Sequence, residues 1–239
     1  MALPLDPTAG FAPDFAAVKP ASPAAVFLNY PSNPCAVVAP PELHQAAVRY
    51  AERTGAVIVH DFAYGDLVFD GRRPQSFLAT PGAMDVGAEL FTMSKSYGMA
   101  GWRLGFVLGN AEVVARVEEL QDHLRAGIFM PIQHAAITAL RYAQEDVLAR
   151  RALYEQRRDR VLAALASTRV ERPRCEGSFY VWLRLPEGVT VQTLLAEHRV
   201  ALAPGEGFGA NGRGWARLSL AVPDDRLALG LERLQRAFA

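Results

Sequence analysis

Ala56-Val57-Ile58-Val59 runs straight into His60-Asp61, and this stretch decides the fold class. Four consecutive apolar residues, three of them β-branched, suit a strand of a parallel sheet buried on both faces. The pattern recurs along the chain. Ala25-Val26-Phe27-Leu28 ends at Asn29, Leu90-Phe91-Thr92-Met93 ends at Ser94-Lys95, and Arg103 to Leu108 closes at Gly109-Asn110. Helical signals separate these runs. Pro40-Pro41-Glu42 opens a helix, because proline suits the first turn and a carboxylate suits the amino end of the dipole; that helix ends near Thr54-Gly55. Val113, Val117, Leu120 and Leu124 share one helical face. A second helix is expected after Pro131, and a long one from about Glu145 to Ser167. Strands alternating with helices predict an α/β layer around a largely parallel sheet. In such sheets functional groups collect at the carboxyl ends of the strands, where Asn29, Asp61 and Lys95 all fall.

The texture changes near residue 170. Phe179-Tyr180-Val181-Trp182-Leu183 reads as a strand between Gly177 and Pro186, with two more expected at Val200-Ala201-Leu202 and from Trp215 to Val222. Leu227, Leu231, Leu234 and Phe238 form one face of a closing helix. The chain therefore divides into a larger unit, 1–150, and a smaller α+β unit, 151–239, with the long helix as connector.

Composition narrows the function classes. Twenty-five basic residues balance twenty-five acidic ones, so no basic excess favours nucleic acid. Five arginines lie between Arg150 and Arg160, but Leu153, Tyr154 and acidic residues interrupt them, which reads as a solvated helix face. Cys35 and Cys175 stand far apart and suggest no disulfide framework. The five histidines, His44, His60, His123, His134 and His198, show no metal-binding spacing, so no metal is expected. No apolar run approaches a membrane span and the first residues lack a leader pattern, so the expectation is a soluble cytoplasmic protein.

Four places hold candidate chemistry. Lys95 follows an apolar strand within Thr92-Met93-Ser94-Lys95-Ser96-Tyr97-Gly98-Met99-Ala100-Gly101-Trp102-Arg103. Partial burial lowers the pKa of such an amine and fits it to attack a carbonyl, while Thr92, Ser94 and Arg103 offer a phosphate grip. Taken alone, the segment reads rather as a surface lysine in a flexible loop. Asp61, at a strand end, needs a partner such as a protonated pyridine nitrogen, with Tyr64 three residues on; a helix cap is the alternative. Asn29-Tyr30-Pro31-Ser32-Asn33-Pro34 is a stiff turn in which Asn33 offers an amide. Arg217 lies inside the apolar run Trp215-Ala216-Arg217-Leu218-Ser219-Leu220 and needs an anion, either a ligand carboxylate or an acidic side chain.

Taken in series, these segments resemble the class I/II, fold-type I, pyridoxal-phosphate-dependent aminotransferases. Asn33-Pro34-Cys35-Ala36 is similar to the family's Asn-Pro-Thr-Gly turn, and His60-Asp61-Phe62-Ala63-Tyr64 to its Asp-x-x-Tyr. Thr92-Met93-Ser94-Lys95 with Gly101-Trp102-Arg103 is similar to its Ser-x-Ser-Lys and Gly-Trp-Arg elements. The resemblance implies that Lys95 forms an aldimine with pyridoxal 5'-phosphate and acts as the catalytic lysine. It implies that Asp61 pairs with the ring nitrogen, that Asn33 and Tyr64 meet the ring hydroxyl, and that Thr92, Ser94 and Arg103 bind phosphate. Arg217, with Asn33, would hold the substrate α-carboxylate. Amino acids and 2-oxo acids are the implied substrates, in a homodimer, with neither nucleic acid nor membrane as partner. Within the family, Phe69-Asp70-Gly71, Ser76-Phe77-Leu78, Pro81-Gly82-Ala83, Gly127-Ile128-Phe129 and Ile132-Gln133-His134-Ala135-Ala136 are most like the LL-diaminopimelate aminotransferases.

The likeness has gaps. Cys35-Ala36 stands where Thr-Gly is usual, and Thr92 where Ser is usual. Leu3-Pro4-Leu5-Asp6-Pro7 already resembles a mid-domain stretch, so the expected fold is an incomplete fold-type I large domain, residues 1–150, plus the small domain. A sheet lacking strands would leave apolar surface open. Without the family's glycine-containing phosphate loop and stacking aromatic, weak cofactor binding and poor turnover are expected. A carbon–sulfur β-lyase on the same scaffold, or a non-catalytic remnant, are the alternative functions, since fold alone does not choose among them.

Overall fold

The computed structural model describes residues 3–16, 18, 23–125 and 127–239. Four strands build the larger sheet: β1 Ala25–Asn29, β2 Val57–Asp61, β3 Gly87–Thr92 and β4 Gly105–Gly109. They lie in the order β1-β2-β3-β4, the first three parallel and β4 antiparallel to β3. The parallel register sets Leu28 beside His60 and His60 beside Glu89, so the carboxyl ends of three strands meet one edge of the sheet. The amide of Asn29 donates to the Asp61 carbonyl at 3.0 Å and secures the first two of those ends.

Helix α1, Pro41–Thr54, joins β1 to β2. Pro41 and Glu42 open it, and Gly55 closes it in the left-handed region, φ +74°, with its N–H on the Ala51 carbonyl. Leu43, His44, Ala47, Val48 and Ala51 are buried along it. The short helix α2, Ala83–Val86, precedes β3, and α3, Ala111–Leu124, follows β4. Asn110 caps α3, accepting from the N–H groups of Glu112 and Val113. Helices α4, Met130–Tyr142, and α5, Gln144–Leu165, come next.

The sheet departs from the expected burial on both faces. In β1, Val26 and Leu28 are buried but Phe27 is 73% exposed, and on α3 Leu120 and Leu124 are 58% and 71% exposed. Period-two geometry sends Phe27 to the face opposite Val26, and an unbroken apolar run cannot report whether anything covers that second face. Among the described residues, Val57 and Val59 on β2 and Val113, Val117 and Leu120 on α3 line one open trough there.

Under the other face lies a polar cluster. His60 Nδ1 is 2.7 Å from Glu89 Oε1, and neither side chain is exposed. Glu89 also accepts from Ser76 Oγ at 2.5 Å and from the Phe77 N–H at 2.8 Å. His44 packs edge-on to His60 with ring centroids 5.0 Å apart.

The chain forms two compact units, residues 1–31 with 38–151, and residues 32–37 with 152–239. The second contains a three-stranded sheet of β5 Tyr180–Arg184, β6 Ala203–Pro204 and β7 Trp215–Ser219, in the order β5-β7-β6 and antiparallel throughout. Val181, Leu183, Ala216 and Leu218 are buried on one face. Helix α6, Val191–His198, and helix α7, Asp224–Ala237, complete the unit, with Leu227, Leu231, Leu234 and Phe238 buried as the apolar spacing predicts. The strand expected at Val200-Ala201-Leu202 is not formed. The Val200 N–H instead closes the end of α6 on the Leu194 carbonyl, and pairing with β7 begins only at Ala203.

The arginines of α5 are not a solvated face. Arg157 donates to Asp224 at 3.0 Å and to the Leu220 carbonyl at 2.9 Å, while buried Arg158 donates to the Cys175 carbonyl at 3.0 Å. Carbonyl groups at loop ends accept these donors, and no sequence pattern announces them.

Burial, reinforced by His60, holds the His44 imidazole down at about 4. The folded value lies below that of the unfolded chain, so as pH falls the unfolded chain takes up its proton first. Stability from this group is therefore complete above pH 6.5 and is lost towards pH 4, by up to about 3 kcal/mol. Urea titrations across that window should show the decline, and His44→Leu should flatten it; an unchanged slope in the variant would assign the decline elsewhere.

Candidate functional site

The residues singled out in sequence fall in both units. In the first, β2 ends on Asp61 and β3 ends on Thr92, three residues before Lys95. The Lys95 ammonium lies 5.7 Å from the ring centroid of Tyr64, which is buried. Asp61 caps no helix. Its Oδ1 accepts from the Ala63 N–H at 3.0 Å, a local turn at the strand end. Such turns suit aspartate because its short side chain reaches the backbone two residues on.

The segment around Lys95 is pinned by its own backbone. Thr92 Oγ1 accepts from the Ser94 N–H at 3.1 Å and donates to the Leu104 carbonyl at 3.3 Å. The Gly98 N–H returns to the Lys95 carbonyl at 3.2 Å, and the Met99 N–H to the Met93 carbonyl at 3.1 Å. Arg103 is exposed, donates to the Ala100 carbonyl at 3.1 Å, and adopts φ +54°. A left-handed arginine costs about 1 kcal/mol or more, and such outliers gather at ligand sites.

In the second unit, Asn33 and Arg217 meet although 184 residues separate them: Arg217 Nη1 donates to Asn33 Oδ1 at 2.6 Å. The Ser32–Val37 turn reaches this unit through the Ala36 carbonyl, which accepts from the N–H groups of Glu176 and Gly177. Arg217 sits on the central strand β7, opposite Trp182 on β5 and Ala203 on β6. Its guanidinium carbon is 4.0 Å from the Tyr180 ring centroid and 4.7 Å from that of Phe208. Two ring faces therefore bracket the cation and fix its plane. Its buried Nε has no hydrogen-bond partner among the described residues.

Sequence reasoning missed several neighbours of these residues. Tyr180 and Phe208 carried no signal beyond being aromatic, because their partner is distant in sequence. Glu89 did carry one: a carboxylate inside the apolar run Gly87-Ala88-Glu89-Leu90 must be paired if buried. Lys19 lies outside the described residues. No helix is long and apolar enough to cross a membrane, and no metal-binding group of His, Cys, Asp and Glu occurs among the described residues.

Comparison with known proteins identifies the family. Residues 2–234 match the family model described as aminotransferase class I and II. The chain is 40% identical over 232 residues to the L-glutamine–4-(methylsulfanyl)-2-oxobutanoate aminotransferase of Bacillus subtilis, covering 94% of this chain and 58% of that protein. It is 37% identical over 239 residues to the LL-diaminopimelate aminotransferase of Dehalococcoides mccartyi, covering 97% of this chain and 62% of the relative. A solved aminotransferase from Staphylococcus aureus superposes with a TM-score of 0.92 at 35% identity, over 98% of this chain and 64% of that one. The chain thus spans about three-fifths of the length of these relatives.

Cys35 occupies the position where the resemblance leads one to expect threonine. Burial pushes its thiol up to about 11, so it stays protonated at neutral pH. A disulfide thiol reagent at pH 8 should leave Cys35 unmodified in the native chain and modify it in denaturant; rapid native labelling at Cys35 would contradict its burial.

Proposed function

The chain belongs to the class I and II aminotransferases, and on that footing we propose that it carries the machinery for pyridoxal-phosphate-dependent transamination between an amino acid and a 2-oxo acid. The observation that carries the proposal is Lys95, three residues past the end of β3 and facing Tyr64, on the sheet edge where β2 delivers Asp61. The donor set supports this cofactor. Hydroxyls at Thr92 and Ser94 and the guanidinium of Arg103 suit a phosphate, the Asp61 carboxylate suits a protonated ring nitrogen, and Tyr64 offers a hydroxyl for the ring oxygen, to which the family resemblance adds Asn33.

When bound, pyridoxal phosphate supplies the electron sink that makes the substrate Cα proton labile. The protein's own groups do the rest. Asp61 holds a proton on the ring nitrogen. Lys95 Nζ takes the proton from the substrate Cα and returns it on the other side of the transfer, as general base and then acid. Arg217, with its plane set by Tyr180 and Phe208 and one nitrogen bonded to Asn33, grips the α-carboxylate by charge-assisted hydrogen bonds. A homodimer in the cytoplasm is part of the same proposal and rests on the family resemblance. A carbon–sulfur β-lyase is not favoured: the relatives compared above are named aminotransferases.

The chain has two lysines, Lys19 and Lys95. Incubation with pyridoxal phosphate followed by borohydride should fix the cofactor on Lys95, read by peptide mapping; label confined to Lys19 would refute the assignment. Arg217→Lys should weaken binding of an amino-acid carboxylate about tenfold or more, because an ammonium cannot reproduce the planar fork. Calorimetric titration with a substrate-like amino acid checks this, and an unchanged affinity would show that another group holds the carboxylate.

A further inference from the structure

Behind the Lys95 turn lies a residue with no part in the scheme above. Arg150, in the first half of α5, donates from Nε to the Ser96 carbonyl at 3.1 Å, across 54 residues of sequence. Its guanidinium also covers Gly98. A Cβ built there would lie 2.6 Å from Nη2, 2.8 Å from Cζ and 3.0 Å from Nη1, so all three atoms approach that one point. Near-equal distances to three atoms of a plane mean that the plane lies against the glycine. Gly98 is required twice over, by φ +67° and by this contact.

The turn that Arg150 covers belongs to Lys95 itself. The Gly98 N–H closes it onto the Lys95 carbonyl at 3.2 Å. Within it, the Ser96 carbonyl cannot serve that closure; Ser96 is buried, and Arg150 supplies its donor. Gln144, one and a half turns earlier on α5, donates to the Tyr97 hydroxyl at 3.1 Å. A helix thus braces three successive residues after the lysine. We infer that Arg150 is a positioning residue for Lys95, fixing the turn from which the amine is presented. Its value to catalysis rests on the reading of Lys95 as the cofactor-binding lysine. The reason for choosing arginine is geometric: one planar side chain supplies both a directed N–H and a flat surface for the glycine, which lysine cannot do.

The test uses the full chain and does not depend on cofactor. Reductive methylation with ¹³C-formaldehyde labels both lysines, and Lys95→Arg identifies the Lys95 resonance by its loss. In Arg150→Met, which keeps a good helix former, the Lys95 resonance and its pH midpoint should move while those of Lys19 hold, and a lowered melting temperature with an unmoved Lys95 resonance would mark a merely structural role. Gly98→Ala displaces the guanidinium without removing its charge and should move the same resonance; because it also strains the φ +67° turn, the part due to the contact is the part that Arg150→Met abolishes. If both act through one contact, the double variant should add little beyond either single change. Trapping of pyridoxal phosphate on Lys95 should also slow by about tenfold in each variant, as misplacement of a reacting group by a fraction of an ångström does. An unmoved Lys95 resonance in both single variants, or fully additive shifts in the double variant, overturns the inference. Absence of borohydride-trapped cofactor on Lys95 in the unaltered chain overturns instead the functional reading, and leaves the resonance test decisive for the positioning role.

Discussion

One buried carboxylate connects much of the larger unit. Glu89 accepts from His60 on the neighbouring strand, from the Ser76 hydroxyl and from the Phe77 backbone, and none of its side chain meets solvent. Three polar neighbours thus surround one carboxyl group cut off from water. Leaving one buried polar group of such a pair without its partner costs about 1–3 kcal/mol, a sizeable share of the roughly 5–15 kcal/mol that holds a domain folded. The pair also sits one residue from Asp61 and three from Thr92. The register of β2 against β3, and with it the spacing between the Asp61 and Lys95 segments, is secured beneath the site by this group.

Arginine plays the corresponding part in the rest of the chain. Arg150 takes the Ser96 carbonyl, Arg157 the Leu220 carbonyl and Asp224, and Arg158 the Cys175 carbonyl. In each case a long side chain from α5 satisfies a main-chain oxygen in an irregular segment that secondary structure leaves without a donor. Arg217 differs. It lies against two aromatic rings and is tied to Asn33 by one nitrogen. Arg217 therefore takes its neighbours from side chains, two rings and an amide, where the arginines of α5 reach main-chain carbonyls.

Much of the fold was legible from local pattern. Runs such as Val57-Ile58-Val59 and the proline-led entry Pro41-Glu42 encode their elements within a few residues, since β-branching and helix-end chemistry act locally. Boundaries shifted where tertiary pairing intervened: the expected strand at Val200 gave way to Ala203 because α6 uses the Val200 N–H for its own closure. The arginine-rich stretch misled for the same reason, since its acceptors lie as far away as Asp224.

By itself the sequence determined which chemical groups stand at strand ends: Asp61 after β2, Lys95 after β3, and Arg217 within an apolar strand. It did so because strand periodicity and the abrupt change from apolar to polar residues are properties of neighbouring positions. Tertiary structure alone decided which distant groups complete them. Asn33 joins Arg217 across 184 residues, Arg150 braces the Lys95 turn across 54, and Phe27 is left exposed on an apolar strand. Hydrogen bonds and burial of this kind depend on packing between segments remote in the chain, and no local pattern carries that information.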